Sequence, residues 1–280
     1  MNLTASIESA ELNFRQILED FFFSVYDEKN LYSHGIDHHR RVWYYARELL
    51  FIPSCQQNAM PCCHPSELII ACYLHDTGMS VEPGLRHGKV SREMCRQFLQ
   101  KNNLDEKDFK DVLDTIEYHD RKDYFAETVR NDLLNVLSVA DDLDAFGFTG
   151  IYRYSEIYLT RGITPLRIGH LILENAKKRF DNFETIFGAE TNYVQLHRKR
   201  YEILSSFFIH YNKQARSYDF MTEDIEGYCG VVQLFMLMLR NKMSLNDFFI
   251  EAKKYQDDVV IESYMDGLKS ELIQFTSTAY

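Results

Sequence analysis

Chain breakers are scarce in this sequence. Glycine accounts for 12 of 280 residues and proline for 5, roughly 4% and 2% against usual shares of about 7% and 5%. So few tight turns disfavour a many-stranded β-sandwich and favour long helices. Positive charge is also in deficit. Lys and Arg number 31 against 42 Asp and Glu, a formal net charge of −11. Such a surface repels nucleic-acid phosphates, which excludes a general nucleic-acid coat protein but leaves room for a local basic pocket. Long apolar runs are missing too. Stretches such as Val231 to Leu239 are too short to span a bilayer, so no membrane association is expected. Met1 to Ala10 offers neither a basic n-region nor an apolar h-region, so no secretory signal is expected. The expectation is a cytoplasmic protein whose cysteines are reduced. The group Cys55, Cys62, Cys63 and His64 lacks the two-residue spacing of a structural zinc site. What is present is ordinary for a globular chain: 45% hydrophobic and 26% charged residues, which excludes disorder as the main state.

The apolar periodicity predicts an all-α fold. Helices are expected over 7–26, with Leu12, Ile17, Leu18, Phe21, Phe22 and Val25 on one stripe, and over 36–51, ended by Pro53. Others are expected over 66–75, over 91–100 behind a Ser91 cap, over 106–119 behind Asp105, and over 125–144. Thr164 and Pro165 form an N-cap and first-turn pair for a helix reaching Phe187. Gly188 to Asn192 is the best internal boundary. It divides the chain into 1–188, the helical core, and 189–280, a C-terminal helical extension with helices near 192–212, 222–240 and 245–275. Ser244 and Asp247 resemble a capping box at the start of the last one.

Histidine and aspartate are unevenly spread. His34, His38 and His39 fall within six residues, followed by the pair His75-Asp76, then His87, His119 and Asp141-Asp142. Imidazole and carboxylate are the side chains that hold divalent transition metals. His75-Asp76 ends the apolar run Leu68-Ile69-Ile70-Ala71-Cys72-Tyr73-Leu74, and Asp141 follows Val136-Leu137-Ser138-Val139-Ala140. Polar groups at the end of a buried helix are costly unless paired or metal-bound. His39 is expected to face solvent or to support the site, and Asp142 and Asp144 to be surface or cap residues, because only one of three nearby acids can point with the apolar face. His34 lies one helical turn before His38 and can share its site, unless Gly35 starts the helix after it. His170, His197 and His210 read as ordinary core or surface residues.

In order, the chain shows His38 in His-His-Arg-Arg-Val, His75-Asp76 in Tyr-Leu-His-Asp-Thr-Gly, and Asp141 in Val-Ala-Asp-Asp-Leu-Asp-Ala-Phe-Gly. This resembles the HD-domain superfamily of metal-dependent phosphohydrolases over roughly residues 25 to 150. The resemblance implies an HD-domain helical bundle, here with additional C-terminal helices. It implies a metal held by His38, His75, Asp76 and Asp141. His87 and His119 match positions that bind a second ion in binuclear members, with Asp76 bridging. Two divalent ions are expected, drawn from Mn, Fe, Mg, Ni or Zn. A mononuclear site, with His87 and His119 serving substrate or acid–base roles, is the structural alternative. The chain departs from phosphodiesterases that carry a His-Asp-Ile-Gly-Lys motif. Met79 stands where they have lysine, and no Gly-Tyr-Pro motif is found, so a cyclic-dinucleotide diesterase is not the first choice.

The implied activity is hydrolysis of a small phosphorylated substrate, a nucleotide or related phosphate ester, by metal-bound hydroxide, with Asp76 and His119 as catalytic residues. Arg41, Arg86, Lys89, Arg121 and Lys122 are the candidate phosphate-binding cations, of which two are expected to make real contacts, with pairing to a core acid as the alternative for Arg41. A di-iron oxygenase on the same ligand set is the alternative, with a catalytically silent ligand-sensing protein as a third reading. The Phe-, Met- and Tyr-rich C-terminal helices are expected to pack on the chain's own core, with a homodimer interface or a lid as the alternatives.

Overall fold

The computed structural model describes residues 2–26, 31–52, 56–57, 60–61, 63–84, 86–121, 132–188, 191–220 and 225–278. The all-α expectation holds. Two strands of two residues each, β1 (Gln56–Gln57) and β2 (Met60–Pro61), pair antiparallel and are the only β-structure among the described residues. The described chain divides into two compact units: Met1–Glu28, His34–Asp144 and Asn182–Gly188 form the first, and Lys29–Ser33, Ala145–Asp181 and Ala189–Tyr280 the second. The sequence boundary at 188/189 is thus one crossing between units, and Asp144/Ala145 is another.

The first unit is built around α3 (Pro65–Leu74), in which every residue from Leu68 to Leu74 is buried. That is why its sequence is apolar all round rather than striped. His64 caps it by accepting from the Ser66 N–H, and Pro65 fills the first turn. α1 (Leu3–Val25), α2 (Ile36–Leu49), α5 (Lys110–Tyr118) and α6 (Asp132–Asp144) pack against it. Leu18 and Phe22 of α1 and Val42, Trp43 and Ala46 of α2 are buried in this core. Leu12, expected on the α1 stripe, is instead 87% exposed, because the buried face of α1 runs through Ile7, Ala10, Leu18, Phe21 and Phe22 and Leu12 lies off it. Buried rings place their polar tips on partners at the edge, with Trp43 Nε1–H donating to Glu11 and Tyr73 O–H to Glu19. α4 (His87–Lys101) packs on α5. It begins four residues earlier than expected, so His87 opens this helix rather than preceding it. The start of the helix expected over 125–144 lies outside the described residues.

The second unit contains α7 (Gly147–Thr160), most of α8 (Pro165–Phe187), α9 (Asn192–Ala215), α10 (Gly227–Asn241), α11 (Leu245–Ala252) and α12 (Val259–Thr278). α7 carries no sequence signal. Two glycines and several β-branched and aromatic residues give it poor intrinsic propensity, and packing against α9, α10 and α12 supplies the helix instead. Half-buried Glu271 of α12 accepts from the Thr149 N–H and hydroxyl at the start of α7. The single helix expected over 245–275 is two helices. Asp258 breaks it by accepting from the N–H groups of Val260, Ile261 and Gly227. Ser244 caps α11 as expected, accepting from the Asp247 N–H. Among the described residues, no helix is long and apolar enough to cross a membrane.

Candidate metal centre

Five helix ends deliver the chemistry. His38 sits in the first turns of α2, His75 ends α3, His87 opens α4, His119 ends α5, and Asp141 lies in the last turn of α6. Asp76 follows His75 in the turn leading out of α3. The C-terminal ends of α3 and α5 both face the cluster, and the partial negative charge of a helix C-terminus favours a cation there. All six residues are buried. Candidate ligand atoms of His38, His75, Asp76 and Asp141 lie within 4.8 Å of one another, and so do those of Asp76, His87 and His119. Asp76 belongs to both groups.

The hydrogen bonds fix which atom each imidazole offers. Nδ1 of His75 lies 2.9 Å from the Cys72 carbonyl, Nδ1 of His87 2.7 Å from that of Gly84, and Nδ1 of His119 2.7 Å from that of Ile116. A carbonyl oxygen only accepts, so each Nδ1 carries the hydrogen and each Nε2 is turned into the cluster. His38 does the same through Asp144 Oδ2 at 2.8 Å. The four Nε2 atoms then crowd each other and Asp76. His38 and His75 approach to 3.2 Å, and His87 and His119 to 3.3 Å. Asp76 Oδ1 stands 3.0 Å from His119 Nε2 and 3.3 Å from His87 Nε2, and its Oδ2 3.4 and 3.5 Å from those of His75 and His38. At most one hydrogen can join each Nε2 pair. A cation satisfies all the lone pairs at once, and imidazole tied at Nδ1 to a carbonyl or carboxylate is the usual supported form of a metal-ligating histidine. The donor set fits divalent ions. It offers nitrogen and oxygen and no thiolate.

Charge in the metal-free cluster is strongly redistributed. Burial would push the Asp76 carboxyl up, but His75, His119 and His38 hold it well below the usual carboxylate range. His75 is raised, burial opposing and Asp76 then Asp141 outweighing it. For His87, burial again opposes, and Asp76 followed by Asp120 lifts it to about 9. His39 behaves in the opposite way. Full burial, then the neighbouring His38 and His75, push it well below an ordinary histidine. Its Nδ1 contacts the Cys72 carbonyl at 3.2 Å, so it supports the α2–α3 contact and does not face solvent.

The expected surface role of Asp142 and Asp144 is corrected: both are buried. Asp144 is one helical turn after Asp141 and takes Arg41 on both oxygens, Nε at 2.7 Å and a terminal nitrogen at 3.1 Å, while also holding His38. The spacing of three residues, which puts Asp141 and Asp144 on one helix face, was the signal that could have found it. Arg41 is therefore buried in this pair. The other expected cations stand apart from it. Arg86 is exposed and pairs with Glu82, Lys89 is exposed, and the exposed Arg121 stacks over the Tyr118 ring at 4.2 Å. Lys122 lies outside the described residues. His34 is buried, its Nε2 3.9 Å from Asp76 Oδ2, and Asp120 places an oxygen 4.0 Å from His87 Nε2. Neither belongs to the two tight groups.

A helical bundle whose helix ends converge on a buried His/Asp cluster defines a class of metal-binding helical proteins. The family profile described as HD domain matches residues 35–145, which begins just before α2 and ends just after α6. This match spans less than half of the chain and is consistent with the HD-domain superfamily of metal-dependent phosphohydrolases. The chain matches no curated protein and no solved structure.

Proposed function

We propose that the chain is a metal-dependent phosphohydrolase that cleaves a small phosphorylated compound, a nucleotide or related phosphate ester. The observation that carries this reading is the set of four imidazoles, each tied at Nδ1 and each turning Nε2 toward the shared carboxylate of Asp76. His38, His75, Asp76 and Asp141 would hold one divalent ion, and Asp76, His87 and His119 a second. When bound, such ions lower the pKa of coordinated water toward neutrality and polarise a phosphoryl oxygen.

The chain's own groups do the rest. Asp76 sets the spacing of the two ligand groups and carries negative charge across the working pH range. Asp144 fixes the ring of His38, and the backbone carbonyls of Cys72, Gly84 and Ile116 fix those of His75, His87 and His119, so little reorganisation is needed when substrate arrives. Among the five candidate cations, Arg121 and Lys89 are the described ones with no carboxylate partner. They are the groups proposed to attract the phosphate. Arg41 serves the site through Asp144 instead.

The test is to assay the metal-loaded protein, in air and without oxygen, against a panel of phosphate esters and nucleotides. Phosphate release indifferent to oxygen is the expected result. No release from any ester, with iron as the resident metal and oxygen consumed on adding an organic substrate, would replace this reading with the oxygenase.

A further inference from the structure

The second unit holds a cleft of about 620 Å³ between α11, the single turn Lys253–Tyr255 and α12. Its floor is apolar, made by Phe249, Ile250, Ile261, Met265 and Leu272. Ile250 is 57% exposed and Val259, at the start of α12, 73% exposed. The α12 wall repeats at helical spacing. Glu262, Met265, Asp266, Lys269 and Leu272 fall at i, i+3, i+4, i+7 and i+10, which is one helix face. The core face of the same helix, Ile261, Tyr264 and Leu268, is buried. α12 is thus apolar on its core side and presents a second, mixed face to the cleft.

The charges on that second face are ordered along the helix. The acids Glu262 and Asp266 come first and Lys269 follows, and none of the three has an ion-pair partner within the described chain. A parallel copy of the helix would set acid on acid and lysine on lysine. An antiparallel copy sets Lys269 of each helix across from Glu262 or Asp266 of the other, twice, with Met265 of both near the centre and the apolar ends toward each other. Symmetric, self-complementary pairing of this kind is the signature of a twofold interface. A helix of 20 residues is about 30 Å long, enough for several turns of contact.

We propose that this cleft is a dimer interface in which α12 of a second copy of the chain lies antiparallel against α12 and fills the space beside α11. Ile250, Met265 and Leu272 supply the apolar centre, and the Lys269–acid pairs supply the register and the orientation. The catalytic reading of the first unit is independent of it.

Charge reversal tests the pairing directly. The full-length protein at about 50 µM, a concentration that populates any dimer of low-micromolar Kd, should sediment at twice the chain mass of 33.1 kDa. Lys269→Glu places acid against acid, and Glu262→Lys with Asp266→Lys places lysine against lysine. Each variant alone should weaken dimerisation at least about tenfold, with the helical circular dichroism unchanged because these side chains are exposed. An equimolar mixture of the two variants restores both sets of opposite charges and should return to dimer. A wild type that is monomeric at this concentration overturns the proposal and leaves the cleft to a different protein or a small apolar ligand. A dimer indifferent to the reversals, or variants that fail to re-associate on mixing, overturns it as well, by placing the interface elsewhere.

Discussion

Replacing Asp144 with Asn separates two functions that one carboxylate performs. Asn keeps the shape and one acceptor oxygen but removes the charge that faces the buried guanidinium of Arg41 at 2.7 and 3.1 Å. Removing one partner of a buried ion pair costs about 3–5 kcal/mol, because the other charge is left uncompensated. At roughly 2–4 °C per kcal/mol for a domain of this size, the melting temperature of the metal-free protein should fall by roughly 6–20 °C. The same change takes the carboxylate from His38 Nδ1, 2.8 Å away, and loss of such a support costs about 10–100-fold in metal affinity. Calorimetric melting in EDTA reads the first effect, and titration with Mn²⁺ reads the second. Adding Arg41→Met to the variant removes the stranded cation, so the double variant should recover much of the melting temperature while its Mn²⁺ affinity stays low. An Asp144→Asn protein that melts and binds Mn²⁺ like the wild type would refute the pairing of these roles.

Asp76→Ala should strip metal from both ligand groups and abolish activity while leaving helical circular dichroism largely intact; stoichiometric metal retained by elemental analysis contradicts the assignment. His119→Ala should leave the His38, His75 and Asp141 group and halve the metal content, whereas a wild type that never exceeds one ion per chain in excess Mn²⁺ contradicts two sites. Because His87 sits near pKa 9 in the metal-free cluster, an ion must displace its proton at neutral pH, so affinity should rise about tenfold per pH unit up to about 9; titrations at pH 6.5 and 8 that agree refute this. The same raised value makes the charged His87 stabilise the metal-free fold fully below about pH 6.5, an effect lost as pH rises through about 9. EDTA-treated protein should therefore melt lower at pH 9.5 than at pH 6.5, with a flat profile counting against it.

The sequence carried the helical class and the site far better than it carried the unit boundaries. Helices with an apolar stripe or a capped start were legible, as at α2, α3, α8 and α11. α7 was not, since its glycines and aromatic residues become helical only through packing on α9, α10 and α12. The break between α11 and α12 escaped because Asp258 acts through its side chain, which periodicity does not see. The six His and Asp positions that converge were all legible, because polar residues at the ends of apolar helices demand a reason. Asp144 was not, although its place one turn after Asp141 was visible. For Arg41 the alternative of a core acid holds over the phosphate role, and Asp144 is that acid. The alternation of the chain between two units, with 182–188 returning to the first, is set by long-range packing that has no local signature.

Anomalous diffraction from Mn²⁺-loaded crystals tests the central claim most directly. The account predicts one peak bounded by Nε2 of His38 and His75 with Asp76 and Asp141, and a second bounded by Asp76 and Nε2 of His87 and His119. Saturated protein with no peak among these side chains, or with its metal bound elsewhere, would contradict it.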